Sequence, residues 1–293
     1  MLKFDYNFAL SELRQNGFVV IPDAVDQMVV ADMHCKFDNL FSRGQSCGPK
    51  LGSTQGAESV IWIDHPLAVD KKVLRIAADA SLTKLFAEYL ATPIQLSYVF
   101  SYRTAVDPTT TTENQHLYFH PGVFKGWHSD ANLVVESRGY RCLVAMLYLT
   151  DVAEGDGGLS VVRGSHLTGG KKKAWSPDEF DQNDVFEVTG KAGTIIFFDM
   201  EMIHRAGTPN NKFPRDVIRF MYSPEGGCDT DYVTPISFLD NDLTPEQMRI
   251  LRFGLPRQQG LKFSEVRGND RTSQVSGKSR LRYFVKRLLS FFR

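Results

Sequence analysis

The hydrophobic pattern changes near residue 93, and this change divides the chain into two parts. In the first part, apolar residues recur every three or four positions, which is the spacing of a helix with one buried face. An apolar run at 18–21, between Gly17 and Pro22, predicts a buried strand. Ser81 is expected to cap the last helix of this part. The predicted helices cover residues 8–16, 24–43, 67–77 and 80–91.

From residue 94 onward, the pattern is that of β-strands. Residues 94–103 alternate in polarity, with Tyr98, Phe100 and Tyr102 on one face of the predicted strand. Glycine-rich turns separate further short apolar runs, as in a β-sandwich or barrel. We therefore expect a mainly β fold with flanking helices. The further predicted strands lie at 142–149, 159–162, 185–188, 193–198 and 217–222.

The predicted elements form one domain over residues 1–277. It comprises a helical part at 1–92, a β core at 93–225 and a C-terminal extension at 226–277. The last residues, 278–293, combine apolar positions at helical spacing with exclusively positive charges. Such a basic amphipathic helix can lie on an anionic membrane surface, but it can equally dock on its own domain or across a dimer.

Composition excludes several classes of protein. The formal net charge is zero, so no overall charge favours nucleic acid. No apolar run reaches the roughly 20 residues of a membrane span, and the early charges Lys3 and Asp5 are unlike a secretory signal. We expect a cytoplasmic protein with free thiols, which the C-terminal helix could bring to the inner face of a membrane. No paired spacing occurs among the cysteines, Cys35, Cys47, Cys142 and Cys228.

A metal site is predicted around Trp127-His128-Ser129-Asp130. His128 and Asp130 are two positions apart, so in an extended strand the imidazole and the carboxylate point to the same side. His204 is the best candidate for a third ligand. Two histidines and one carboxylate on one face of an octahedron leave three open positions, the arrangement that non-haem Fe(II) oxygenases use. The alternative is an ordinary ion pair at 128 and 130 and a core histidine at 204.

Two arginines after His204 are predicted to face inward. Arg215 precedes the strand at 217–222, where a buried guanidinium can hold a carboxylate through two parallel hydrogen bonds. A metal ion together with such an arginine suits a 2-oxo-dicarboxylate, whose two ends need different partners. Arg219 shares a face with Arg215 by strand parity. Because an unpaired inward arginine is costly, Arg219 should meet either an acidic side chain or an anionic substrate group, and we favour the internal pair.

The chain resembles the phytanoyl-CoA dioxygenase family of Fe(II)/2-oxoglutarate oxygenases. Trp127-His128-Ser129-Asp130 is similar to the family's proximal metal motif, and His204 and Arg215 are similar to its distal ligand and co-substrate arginine. Leu149-Thr150-Asp151 and the run Gly157–His166 resemble its central turn and strand. The resemblance covers most of the chain. It implies a double-stranded β-helix, which is a cupin-like jelly roll, with helices packed outside.

The resemblance also implies the roles of the metal and co-substrate residues. His128, Asp130 and His204 would bind Fe(II), and Arg215 would bind the far carboxylate of 2-oxoglutarate, with O2 as the other co-substrate. Halogenase-like relatives carry a small residue in place of the metal carboxylate. Because Asp130 is present, halogenation is disfavoured.

Further site residues are implied by spacing relative to the family's pattern. Gln115 is the nearest match to a polar residue that binds the other end of 2-oxoglutarate. Ala206 stands where some members have a serine that donates to the carboxylate, and Thr208 is the candidate substitute. The candidate substrate contacts are Tyr102, His116, Trp127 and Arg219.

Together these residues predict a dioxygenase that hydroxylates an unactivated carbon of a small-molecule metabolite and releases succinate and CO2. One alternative is the same chemistry on a lipid-linked or amphipathic substrate at a membrane surface. Another is a non-catalytic jelly-roll binding protein, against which the complete metal triad argues. The sequence leaves the identity of the substrate, the stereochemistry and the oligomeric state open.

Overall fold

The structure is a computed structural model in which eight stretches of the chain are described: residues 2–42, 60–63, 66–104, 126–130, 141–168, 174–207, 214–225 and 243–251. The chain divides into two compact units, Met1–Gln258 and Gln259–Arg293, and every described residue belongs to the first. The predicted domain boundary at 277 and the tail helix at 278–293 lie outside the described residues.

Helices precede the β core, as the apolar spacing predicts. The first begins at Asp5, whose carboxylate accepts a hydrogen bond from the backbone N–H of Phe8. It ends at Gly17, which has a φ of 81°. A Cβ at this position would lie 2.4 Å from Nδ1 of His166, so glycine is required for both conformation and space. The helices are α1 (Tyr6–Asn16), α2 (Gln27–Ser42), α3 (Pro66–Val69), α4 (Lys71–Ala77), α5 (Ala80–Leu90) and, late in the chain, α6 (Pro245–Ile250).

Two details of the helix prediction were wrong, and both concern capping. The single helix predicted at 67–77 is two helices, because Asp70 accepts a bond from the N–H of Lys72 and starts α4. Asp79, not Ser81, caps α5, since the Asp79 carboxylate accepts bonds from two backbone N–H groups in the first turn. No helix in the described part of the chain is long and apolar enough to cross a membrane.

The strands form two antiparallel sheets. The order is β1-β9-β5-β11-β3-β2 in the six-stranded sheet and β7-β4-β10-β6-β8 in the five-stranded sheet. Strands β2, β7 and β10 were not predicted, and β7 and β10 are too short to show an alternating pattern. The strands are β1 (Phe18–Ile21), β2 (Val60–Ile63), β3 (Ile94–Thr104), β4 (Trp127–His128), β5 (Leu143–Tyr148), β6 (Leu159–Val162), β7 (Ala174–Trp175), β8 (Val185–Val188), β9 (Ile195–Asp199), β10 (His204–Ala206) and β11 (Arg215–Pro224).

Three hydrophobic clusters define the layers of the fold. The helices cover one face of the six-stranded sheet, where Phe86 of α5 packs edge-on against Phe197 of β9 with ring centroids 5.3 Å apart. The second cluster lies between the two sheets and includes Met146 of β5 and Val161 of β6. The third lies on the outer face of the five-stranded sheet around Trp127. This is the predicted architecture of a two-sheet core with helices outside.

A tyrosine joins the two sheets directly. The hydroxyl of Tyr148 in β5 donates to the carbonyl of Val188 in β8 at 3.0 Å and accepts from the N–H of Leu159 at 3.4 Å. Burial raises the pKa of Tyr148 to about 12, so the hydroxyl keeps its proton and remains a donor. The separation of the sheets is therefore fixed at this point by a specific hydrogen bond as well as by packing.

Two of the four cysteines lie in the described residues. Cys35 is exposed on α2 and Cys142 is buried beside β5, and the two do not form a disulfide with each other.

Candidate metal centre

The two histidines predicted as ligands face each other in the five-stranded sheet. His128 in β4 and His204 in β10 are direct partners in an antiparallel pair. Their ring centroids are 4.4 Å apart, and the two residues are only 8% and 4% exposed. Directly opposed residues of an antiparallel pair project to the same face of the sheet. The strand register therefore brings the two imidazoles together.

Backbone carbonyls determine which ring nitrogens face the centre. Nδ1 of His128 lies 2.8 Å from the carbonyl oxygen of Gly126, and Nδ1 of His204 lies 2.9 Å from that of Met202. Because a carbonyl can only accept, we assign the proton of each ring to Nδ1. Each Nε2 is then the unprotonated nitrogen, with its lone pair available to a metal ion.

Asp130 completes the cluster. Its Oδ1 lies 3.5 Å from Nε2 of His128, and its Oδ2 lies 3.5 Å from Nε2 of His204. One ligand atom from each of the three residues lies within 4.8 Å of the others. The hydroxyl of Ser129 donates to the carbonyl of Met200 at 3.1 Å and anchors the turn that carries Asp130. Two imidazole nitrogens and a carboxylate oxygen are a donor set that suits ferrous iron, so the residues present fit this metal.

Electrostatics favour the protonation states that bind a cation. Burial, the largest influence, would by itself raise the pKa of Asp130, but the Arg219 guanidinium together with His204 and His128 outweighs it and holds the pKa of that carboxyl well below its usual range. Burial lowers the pKa of His204. At neutral pH the site therefore contains an ionised carboxylate and a neutral imidazole at these positions, and neither must lose a proton before a metal ion binds.

Arg215 lies on the opposite sheet, at the start of β11, and is 2% exposed. Its Nε donates to the hydroxyl of Thr104 at 3.2 Å. Its Nη2 is buried and has no hydrogen-bond partner among the described residues. The guanidinium carbon lies 5.8 Å from the centre of the Tyr102 ring. Burying a guanidinium with an unpaired N–H donor costs free energy unless an acceptor binds it. A carboxylate of 2-oxoglutarate is a suitable acceptor for this donor.

Arg219 lies on the same face of β11 and pairs with Asp130. Its Nη2 contacts Oδ2 of that carboxylate. The guanidinium carbon lies 5.6 Å from the ring centre of Phe100 and 5.7 Å from that of Phe198. Of the two alternatives from strand parity, the structure contains the internal ion pair. No substrate group is therefore needed to balance the charge of Arg219, which was also a candidate substrate contact.

The ring of Trp127, a predicted substrate contact, lies on the face of β4 that points away from the histidines. Side chains alternate along a strand, and His128 occupies the inner face. The Trp127 ring packs against Phe180 with centroids 5.0 Å apart, and the Arg205 guanidinium lies 4.5 Å from its centre on the outer face. Tyr102 is placed differently, since it faces inward and packs near Arg215.

Phe198 is a site residue that sequence analysis missed. Its ring centroid lies 5.5 Å from that of His204, and it also contacts Arg219. Strand parity within 193–198 was the available signal, because it places Ile196 and Phe198 on one face. The sequence does not show which face of that strand points toward the other sheet. Three further predicted residues, Gln115, His116 and Thr208, lie outside the described residues.

A model of the phytanoyl-CoA dioxygenase (PhyH) family matches residues 13–217, which is well over half of the chain and includes the candidate metal centre. The chain belongs to the phytanoyl-CoA dioxygenase family. This phytanoyl-CoA dioxygenase family member is therefore an enzyme of the non-haem iron, 2-oxoglutarate-dependent oxygenase type, as the sequence predicts. A search of curated proteins found no significant match.

Solved structures of similar fold include an epimerase, a carbocyclase and a protein crystallised with nickel and 2-oxoglutarate. The epimerase SnoN is 20% identical with a TM-score of 0.60, and the match covers 82% of this chain and 90% of SnoN. The carbocyclase SnoK is 16% identical with a TM-score of 0.56, over 78% of this chain and 87% of SnoK. HygX from Streptomyces hygroscopicus is 16% identical with a TM-score of 0.53, over 74% of this chain and 86% of HygX. At these identities the likeness concerns the fold, and it confirms the predicted jelly roll.

Proposed function

We propose that this enzyme is an Fe(II)/2-oxoglutarate-dependent dioxygenase that hydroxylates an unactivated carbon of a small-molecule metabolite and releases succinate and CO2. The observation that carries the proposal is the meeting of His128, Asp130 and His204, with one ligand atom of each within 4.8 Å of the others. These residues would hold iron. Arg215, buried on the facing sheet with Nη2 available, would bind the far carboxylate of 2-oxoglutarate.

The protein's part in the reaction is to hold the metal and the co-substrate, to orient them and to exclude water. Bound iron and 2-oxoglutarate would supply the chemistry, an O2-dependent oxidative decarboxylation coupled to oxidation of a C–H bond. The backbone bonds at Nδ1 fix the tilt of His128 and His204. Asp130 contributes the negative charge that retains a divalent cation. The nearly or fully buried rings of Phe100 and Phe198 keep water from the inner side of the centre.

Related structures support a small-molecule substrate by analogy of fold. SnoN was crystallised with Fe3+, alpha ketoglutarate and nogalamycin RO, and HygX with nickel, 2-oxoglutarate and hygromycin B. An epimerase and a carbocyclase share the fold, so epimerisation and ring closure are alternative outcomes. Hydroxylation is proposed because it needs no additional hydrogen-donating side chain in the site. Epimerisation requires such a donor, which returns hydrogen to the opposite face of the carbon.

The deciding experiment is a metabolite screen that follows substrate-stimulated succinate release by the purified protein with Fe(II) and 2-oxoglutarate. The expected product is heavier than its substrate by one oxygen atom. Asp130→Ala should abolish succinate release, and wild-type rates in that variant would overturn the assignment. Under anaerobic conditions, 2-oxoglutarate should produce a weak visible charge-transfer absorption on the Fe(II)-loaded protein. A non-catalytic binding protein would release no succinate with any metabolite.

An amphipathic substrate at the inner face of a membrane is the second candidate. Its support is the basic amphipathic pattern of residues 278–293, which lie outside the described residues. Co-sedimentation with anionic liposomes should separate the full chain from a chain that ends at Ser276. Equal pelleting of the two proteins would remove this candidate and leave a cytoplasmic small metabolite.

A further inference from the structure

The Asp130 carboxylate is held from the opposite sheet. Asp130 follows β4 of the five-stranded sheet, whereas Arg219 lies in β11 of the six-stranded sheet. Nη2 of Arg219 contacts Oδ2 of Asp130. Each oxygen also lies 3.5 Å from one histidine nitrogen, Oδ1 from Nε2 of His128 and Oδ2 from Nε2 of His204. The two oxygens of one carboxylate therefore have different surroundings, and only Oδ2 meets a guanidinium.

The position of the Arg219 guanidinium is tightly constrained. Arg219 is in the middle of β11, paired with Phe100 on one side and Met146 on the other. Its guanidinium carbon lies 5.6 Å and 5.7 Å from the ring centres of Phe100 and Phe198. The residue is 9% exposed. Asp130 is its one polar side-chain partner among the described residues, so the guanidinium acts on this carboxylate from a fixed place.

A buried ion pair of this kind is weak evidence for stability, since apolar residues of similar volume often replace such pairs without loss. The ion pair between Arg219 and Asp130 instead fixes the orientation of the Asp130 carboxylate. An octahedral ion bound by two histidines and a single carboxylate oxygen retains three open positions, which 2-oxoglutarate and O2 together require. If both oxygens of Asp130 bound the ion, one of those positions would be lost.

We propose that Arg219 is a positioning residue that occupies Oδ2 of Asp130, so that the carboxylate binds the metal through Oδ1 alone and the coordination positions for 2-oxoglutarate and O2 stay open. This inference rests on the proposed function. Arg219 acts through Asp130 and touches no reacting atom.

The test compares Arg219→Met with wild type in two binding measurements. Without the guanidinium, Oδ2 is free to bind the ion, so Co(II) or Fe(II) affinity should be retained or increased. Because Oδ2 would then compete with 2-oxoglutarate for a coordination position, the anaerobic affinity of the metal-loaded protein for 2-oxoglutarate should fall by about tenfold, the scale of one charged contact. The visible absorption of the Co(II) protein should also change, because a second carboxylate oxygen would replace a solvent ligand of the ion. Arg219→Lys should partly restore the wild-type spectrum and 2-oxoglutarate affinity.

Arg205→Met is the matched control. Arg205 adjoins His204, and its Nε is buried without a partner among the described residues, but its guanidinium stacks on Trp127 on the outer face. This variant should bind metal and 2-oxoglutarate as wild type does. Arg219→Gln is a second test variant, since a neutral amide preserves much of the buried volume without forming the ion pair.

Two results would overturn the inference. One is wild-type 2-oxoglutarate affinity and Co(II) spectrum in both Arg219→Met and Arg219→Gln. The other is a loss of about 10- to 100-fold in metal affinity with unchanged 2-oxoglutarate affinity, as expected if Arg219 merely supported the ligand. Failure of the wild-type protein to bind Fe(II) would instead contradict the proposed function itself, so the two failures are distinguishable.

Discussion

The fully buried carboxylate of Asp216 in β11 lies 2.8 Å from Nε2 of His34 on helix α2. Arg103 of β3 donates to both oxygens of the same carboxylate, at 2.7 Å from Nε and 2.6 Å from Nη2. Arg103 also bonds Asp38 of α2 at 2.7 Å. Since Asp216 directly follows Arg215, this network connects the helix layer to the residue proposed to bind the co-substrate.

Loss of Arg103 should therefore destabilise the fold strongly. Arg103→Met leaves the Asp216 charge buried with only His34 beside it, and the free energy of unfolding should fall by about 3–5 kcal/mol. Asp38→Asn is the control, because the Asp38 side chain is 51% exposed and an exposed pair contributes less than about 1 kcal/mol. Denaturant unfolding measures both. Equal losses in the two variants would contradict this account of the network.

Replacement of Arg215 should weaken binding of 2-oxoglutarate and spare binding of the metal. A charged hydrogen bond contributes about 1.5–3 kcal/mol, so Arg215→Met should reduce affinity about 10- to 150-fold. Arg215→Lys should recover part of it, since an ammonium keeps the charge but not the two-pronged geometry. Anaerobic titration of the Fe(II) protein gives the affinity. The role assigned to Arg215 fails if Arg215→Met titrates like wild type.

Removal of one histidine ligand should abolish tight metal binding. His204→Gln removes one of three donors, so divalent metal affinity should fall by more than about 100-fold, because loss of a supporting group around a ligand already costs 10- to 100-fold. His166→Gln is the control, since Nε2 of His166 lies 3.2 Å from the carbonyl of Arg14, and His166 is not among the three clustered ligands. Calorimetry with Co(II) compares them. Similar affinities in the two variants would exclude His204 as a ligand.

The buried carboxyl of Asp199 should make stability depend on pH. Burial raises the pKa of Asp199 from 3.8 to about 6, so the folded protein holds this proton more tightly than the unfolded chain does. The contribution of the protonated Asp199 carboxyl to the free energy of unfolding is complete below about pH 4 and is lost as the pH rises through about 6. For a shift of roughly two pKa units, this change is about 3 kcal/mol.

Asp199→Asn tests this dependence, because the amide keeps the hydrogen bond with the Tyr89 hydroxyl, which is 2.8 Å long in the wild-type protein, but cannot ionise. Relative to this variant, the wild-type protein should lose stability between pH 4 and pH 6 and stay level above. Urea unfolding across that range gives the difference. A difference that does not vary with pH would contradict the raised pKa.

Local signals were sufficient for much of the fold. The helix α1 and the strand β1 follow from apolar spacing and from Gly17, and the structure contains both close to their predicted bounds. The residue that caps α5 was harder to predict, because Asp79 and Ser81 are both suitable helix caps. In the structure, the carboxylate of Asp79 accepts hydrogen bonds from two backbone N–H groups and is the cap.

The candidate site was only partly accessible from sequence. His128 and Asp130 are two positions apart, so their proximity is local, although Asp130 lies in the turn after β4 and not in the predicted strand. His204 lies opposite His128 because two strands pair in a particular register. The two residues are 76 positions apart in the sequence, so no local pattern predicts this register. Trp127 directly precedes His128, so strand parity already places its ring on the face opposite the predicted ligand.

The candidate ligands His128 and His204 belong to the five-stranded sheet, and Arg215 belongs to the six-stranded sheet. A co-substrate bound to both would span the gap between them, so the width of that gap sets the reach between iron and guanidinium. Side chains that fill the interior, such as Met146 and Val161, and the Tyr148 hydroxyl bond to Val188 therefore act as spacers. Tolerance of co-substrate analogues with longer or shorter carbon chains would consequently depend on residues that touch neither end of the molecule.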